Sequence, residues 1–163
     1  MALAGVGVDI VEISRMEKIL SRTPCFALRV FTDEEREYCE HSTRPAAHYA
    51  CRFAAREAVL KALGCGFGKG VRFDDVSVSR DAAGRPQAVL KGRAAEVAQE
   101  RGVLSVAISL SFTREMAVAN AVATTAETAP KVDDARDPRR ELAESFKEAR
   151  SIIDELERVD NGR

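Results

Sequence analysis

Apolar and polar positions alternate at the start of the chain. Val6, Val8 and Ile10 fall on one side, and Gly7, Asp9 and Val11 on the other, which predicts a strand over residues 3–13. Ser14 then begins Ser-Arg-Met-Glu, the spacing of a capping box. The short helix predicted there carries Met16, Ile19 and Leu20 on one face and Arg15, Lys18 and Arg22 on the other. A second box, Thr32 to Glu35, predicts a polar helix near residues 33–41. Pro45 suits the first turn of a long helix that runs to about Leu63 and stops at Gly64. Further on, VSVSRDAAGRPQAVL reads as two strands, residues 92–101 as a helix ending at Gly102, and VLSVAISLS with EMAVANAVA as a hairpin closed by SFTR.

The long helix poses the chemical question. At about 100° per residue, Phe53, Leu60 and Gly64 share a narrow apolar stripe, and Glu57 lies inside it. Ala47, Ala50, Ala54, Ala58 and Ala62 form a neighbouring face small enough for close packing. A carboxylate so placed needs a partner. An i,i+4 salt bridge to Lys61 would satisfy it, and so would a metal or phosphate site. For the second reading, Asp9 is a further carboxylate on the small-residue side of its strand. Two carboxylates on separate elements suit a hard cation such as Mg²⁺, which keeps waters and recruits substrate phosphates. GCGFGKG, residues 64–70, follows the helix as a glycine-rich loop, and Arg52, Arg56 and Lys61 offer cations for phosphates.

Composition narrows the classes. The chain has 163 residues, 45% hydrophobic and 31% charged, with a net charge of −1. That is the profile of a globular protein and argues against a general nucleic-acid binder. No apolar run approaches the roughly 20 residues of a membrane span, and MALAGVGVDIVEI lacks a signal-peptide pattern. Cys25, Cys39, Cys51 and Cys65 show no metal-ligand spacing and read as free thiols of a reducing cytosol, so a cytoplasmic location is expected. After Ala123 the pattern changes. Residues 1–123 read as one domain, 124–138 as a linker and 139–163 as an acidic helical tail. Leu142, Phe146, Ala149, Ile153 and Leu156 trace a coiled-coil seam in that tail.

Three stretches, GVGVDIVEISRM, RFAAREAVLKALG and SLSFTREMAVANAVA, resemble the signature blocks of holo-acyl-carrier-protein synthases, the short 4′-phosphopantetheinyl transferases. The resemblance spans nearly all of residues 1–123. It implies an α+β fold with a small antiparallel sheet packed against a long helix, and a homotrimer with active sites between subunits. It also implies Mg²⁺-dependent transfer of 4′-phosphopantetheine from coenzyme A to a serine of acyl carrier protein, with release of 3′,5′-ADP. Carried over, the metal ligands fall on Asp9 and Glu57. Glu57 and Lys61 become catalytic, and Arg52, Lys61, Gly64 and Thr113 bind coenzyme A. Arg15, Arg22 and Arg29 dock the acidic carrier protein, with Phe26 as an apolar contact. Glu57 and a metal-held water are the two candidate acceptors of the serine proton.

Two positions depart from the family pattern. Ser111-Phe112-Thr113 stands where Ser-His-Thr is usual, and a phenyl ring cannot donate the hydrogen bond of an imidazole. Arg56 stands where lysine is usual, and a guanidinium is not an equivalent donor. Phe112 sustains a second reading, a module that binds coenzyme A or carrier protein with weakened turnover. A third reading makes the tail helix the functional part of an assembly protein.

Overall fold

The computed structural model describes residues 5–68, 70–129 and, further on, 142–143, 145–147 and 149–151. The chain divides into two units, Met1–Ala129 and Pro130–Arg163. In the second, the described residues are helical, and Leu142, Phe146 and Ala149 of the expected seam are exposed. Ile153, Leu156 and residues 130–138 of the expected linker lie outside the described residues.

The first unit is α+β. The alternating segments form a three-stranded antiparallel sheet of order β1-β5-β4, with β1 at Gly5–Glu12, β4 at Val103–Phe112 and β5 at Met116–Thr125. Strand β1 pairs with β5 so that Gly7 faces Ala121 and Asp9 faces Ala119. The long helix, α4 (Pro45–Ala62), begins with proline in its first turn and ends where Gly64 adopts a φ of 64°. Its alanine face is buried as the small residues predict, Ala54, Ala58 and Ala62 among Ala119, Ala121 and Ala123 of β5, and Ala47 and Ala50 in a second cluster with Ala117. Contact is closest at β1. A Cβ added to Gly7 would stand 1.8 Å from the Ala58 carbonyl oxygen. Gly7→Ala is therefore expected to cost about 2–3 kcal/mol, because helix and strand must separate. A shift in the urea midpoint checks this, and an unchanged midpoint would contradict the packing.

The remaining helices of this unit are α1 (Ile13–Arg22), α2 (Cys25–Val30), α3 (Asp33–Glu40) and α5 (Gly92–Glu100), and β2 (Val76–Arg80) and β3 (Pro86–Leu90) form a separate hairpin. The capping box at Thr32 forms as expected. The one expected at Ser14 does not: α1 starts two residues too early for it, with Glu12 as an N-cap that makes no side-chain bond. The Ile13 N–H instead donates to the Glu115 carbonyl at 2.8 Å, so the β4–β5 turn satisfies a free helix N–H.

Arg56 also departs from expectation. It is not a phosphate contact, for its side chain is fully buried and bonded to Glu35, itself 1% exposed. The guanidinium also donates to the Phe73 and Arg52 carbonyls, while Glu35 accepts from the Thr32 and Val78 N–H groups. Arg56 thus ties α4 to α3 and β2.

Candidate functional site

Strand alternation puts Asp9 on the same side of β1 as Gly7, facing α4. Helical spacing puts Glu57 and Lys61 one turn apart on α4. Both carboxylates line one cleft of about 680 Å³, whose walls include Arg15, Phe26, Phe53 and Met116. The i,i+4 bridge from Glu57 to Lys61 does not form. Lys61 reaches across to the strand, donating to Asp9 Oδ1 at 2.8 Å and to the Val8 carbonyl at 3.0 Å. The pair is open to solvent, with side-chain exposures of 50% for Lys61 and 17% for Asp9, so it adds little stability. The bond to Asp9 holds the Lys61 ammonium above its ordinary pKa.

Glu57 is left with no hydrogen bond or ion pair among the described residues. Burial first, and then the charge of Asp9, push its carboxyl above the usual range, with Lys61 offsetting only part. Three carboxylates, Asp9, Glu12 and Glu57, line the cleft against two cations, Arg15 in its wall and Lys61 at Asp9, so it is short of a positive charge. Oxygen donors in that arrangement fit a hard divalent cation. No group of three or more His, Cys, Asp or Glu that suits a metal occurs among the described residues, so a fully caged transition metal does not fit.

The raised Glu57 pKa carries a stability consequence. A carboxyl group whose folded pKa lies above its unfolded one destabilises the fold as pH rises through that interval. The cost is absent below about 4.5, the ordinary value, and complete above the raised one. Without divalent cation, Glu57→Gln is expected to melt above the parent chain at neutral pH and to lose that advantage in acid. Melting curves across pH check this; a lower melting temperature at neutral pH would contradict it.

Arg52 occupies a different place. It lines a smaller cavity of about 160 Å³ with Tyr38, His48, Arg80, Pro86 and Phe112, sharing no lining residue with the first. Its guanidinium stacks 4.1 Å from the Tyr38 ring centre, and Arg80 approaches the same ring at 4.8 Å. Cys51 also lines this cavity, but burial pushes its thiol up to about 11, too high for a nucleophile at neutral pH.

Other expected site residues lie elsewhere. Gly64 lines neither cavity; its carbonyl accepts from Arg101 at 3.1 Å. Thr113 lines neither and closes the β4–β5 turn, its hydroxyl accepting from the Glu115 and Met116 N–H groups. Arg15, Arg22 and Arg29 are exposed, and Arg15 also reaches the Asp9–Glu57 cleft. Phe26 is half-buried, packed on Phe31 and Phe53, while the exposed apolar residue nearby is Leu28. Sequence reading missed Tyr38, His48 and Arg80, because no local spacing relates α3, α4 and β2.

Comparison with known proteins shows the family and the fold. The family model of the 4′-phosphopantetheinyl transferase superfamily matches residues 5–130. The chain is 46% identical over 114 residues to a holo-[acyl-carrier-protein] synthase of Syntrophus aciditrophicus, covering 69% of this chain and 89% of that one. It resembles the crystal structure of holo-[acyl-carrier-protein] synthase from Neisseria meningitidis with a TM-score of 0.67 and 32% identity, over 74% of this chain and 98% of that one. It also resembles a holo-(acyl-carrier-protein) synthase from Bacillus anthracis in complex with CoA (3′,5′-ADP). There the TM-score is 0.61 and the identity 35%, over 75% of this chain and 96% of that one.

Proposed function

Because the chain belongs to the holo-acyl-carrier-protein synthases of the 4′-phosphopantetheinyl transferase superfamily, we propose that it moves 4′-phosphopantetheine from coenzyme A to a serine of apo-acyl carrier protein, depends on Mg²⁺ and releases 3′,5′-ADP. The observation that carries this reading is the shared cleft of Asp9 and Glu57, two carboxylates with one ammonium between them.

Asp9 and Glu57 would hold Mg²⁺, which would supply neutralisation of charge on the diphosphate oxygens. The serine oxygen attacks the phosphorus that bears pantetheine. The bond from that phosphorus to the bridging oxygen breaks, and 3′,5′-ADP departs with the electron pair. Glu57, with no hydrogen bond or ion pair among the described residues, is one candidate to take the serine proton, and a metal-held water is the other. Lys61, held to Asp9 and half-exposed, places a cation at the edge of the cleft for the leaving phosphate. Phe26 and Phe53 form an apolar part of the cleft wall. Arg15, Arg22 and Arg29 project from α1 and α2 as the docking cations for an acidic carrier protein.

A homotrimer belongs to this reading. Val6, Val8 and Ile10 of β1 and Val122 of β5 are exposed, and Val6 pairs directly with Val122, so the sheet presents an apolar face away from α4. The mass in solution is expected to be three times the 17.8 kDa chain mass. Val8→Asp is expected to yield a smaller species by light scattering, and a wild-type monomer would overturn the trimer.

The transfer itself is tested by incubating the chain with coenzyme A, Mg²⁺ and apo-carrier protein and weighing the carrier. A gain of one phosphopantetheine that is lost on chelation supports the proposal. Tight coenzyme A binding with no gain would favour the binding module that Phe112 suggested.

A further inference from the structure

We infer that His48 donates the hydrogen bond to the 3′-phosphate of coenzyme A that Phe112 cannot, and so sets the preference for the phosphorylated ribose. The inference rests on the transferase reading above, and it starts from a ring pair. His48, near the start of α4, meets Phe112, at the end of β4, edge to face at 5.3 Å. An imidazole therefore returns to the site beside the position where the sequence lacks one. Its ring nitrogens make no hydrogen bond among the described residues.

The surroundings fit an anion. Arg52 and Arg80 line the cavity with His48, and the Arg44 guanidinium lies 5.2 Å from the Phe112 ring centre. None of these three arginines has a carboxylate partner among the described residues, whereas Arg36, Arg56, Arg72, Arg85 and Arg93 each have one. No acidic residue lines the cavity. Arg52 is 3% exposed, and its Nε is buried without a partner. A buried donor left unpaired is costly, and a bound phosphate oxygen would relieve that cost.

The charged and titratable groups around His48 are Arg44 and Arg52 on or beside its own helix, Arg80 from β2, Tyr38 from α3 and Cys51. Burial first, then Arg52, Arg80 and Arg44, lower the pKa of His48. The neutral ring still has one N–H to donate, and an incoming phosphate favours its protonation.

The choice between the phosphates of coenzyme A follows from position. The reacting diphosphate belongs with Asp9, Glu57 and Lys61, and this cavity shares no lining residue with that cleft. The phosphate left over is the one on the ribose 3′ position. At about 160 Å³ the cavity admits one end of the substrate and not the whole.

The test is calorimetric titration of the full chain with coenzyme A and with 3′-dephospho-coenzyme A. The wild type is expected to prefer coenzyme A. His48→Phe is expected to bind coenzyme A roughly ten- to a hundredfold more weakly, the loss of one hydrogen bond to a charged group, and to keep its affinity for the dephospho form. That retained affinity shows that the variant is folded. In turnover the same variant raises KM for coenzyme A and leaves kcat near its parent value. The exchange His48→Phe with Phe112→His is expected to recover the preference. A His48→Phe variant that discriminates like the wild type, or loses both ligands equally, overturns the inference and leaves the transferase reading standing. A wild type that binds neither ligand overturns both.

Discussion

Glu57→Ala is expected to lower transfer from coenzyme A to apo-carrier protein at least about a hundredfold, about 2.7 kcal/mol at 1.36 kcal/mol per decade, without lowering the stability of the cation-free protein. Both halves follow from one observation. Glu57 makes no hydrogen bond or ion pair among the described residues, so its removal breaks none of these, and it ends the unfavourable facing of two carboxylates. Asp9 then stands alone with Lys61, an already neutral pair, and the cleft loses the excess negative charge that draws a divalent cation. Calorimetric titration with Mg²⁺ and the rate of carrier modification read the two consequences. Unaltered transfer by Glu57→Ala would remove the basis for the metal assignment.

Glu35→Ala is expected to produce the largest loss of stability, about 3–5 kcal/mol, a large part of the 5–15 kcal/mol typical of a folded domain. Glu35 accepts from both terminal nitrogens of Arg56 and from the N–H groups of Val78 and Thr32. Its loss leaves a guanidinium with no accessible surface facing only the Phe73 and Arg52 carbonyls. It also opens the capping box of α3. The double change of Glu35→Leu with Arg56→Met is expected to be milder than Glu35→Ala alone, because no charge is then stranded. Urea denaturation of the three proteins measures the difference. A single variant within about 1 kcal/mol of wild type would contradict the account of the buried pair.

Long periodic segments were legible before any coordinates. The alternation in β1 and in β4–β5, the alanine face of α4 and the Thr32 box all appear where the pattern puts them. The short pieces were not. Helix α2, of six residues, and the 3₁₀ turn at Phe73–Asp75 are too brief to show a period, and both depend on packing. The Ser14 box failed because the helix starts earlier, at Ile13, whose N–H donates to the carbonyl of the distant Glu115.

The candidate site divides along the same line. Periodicity alone placed Glu57 among apolar neighbours and Asp9 on the small-residue side of its strand, because side-chain direction follows from the turn of each element's own backbone. The choice of partner lay beyond that reach. Lys61 bonds Asp9 and not Glu57, Arg56 is consumed by Glu35, and Arg52 turns toward Tyr38 and His48. Those pairings depend on which elements meet, at what register and within what side-chain length. Only the folded chain sets these, since residues 52 and 43 positions apart, as in Lys61–Asp9 and Glu35–Val78, share no local geometry.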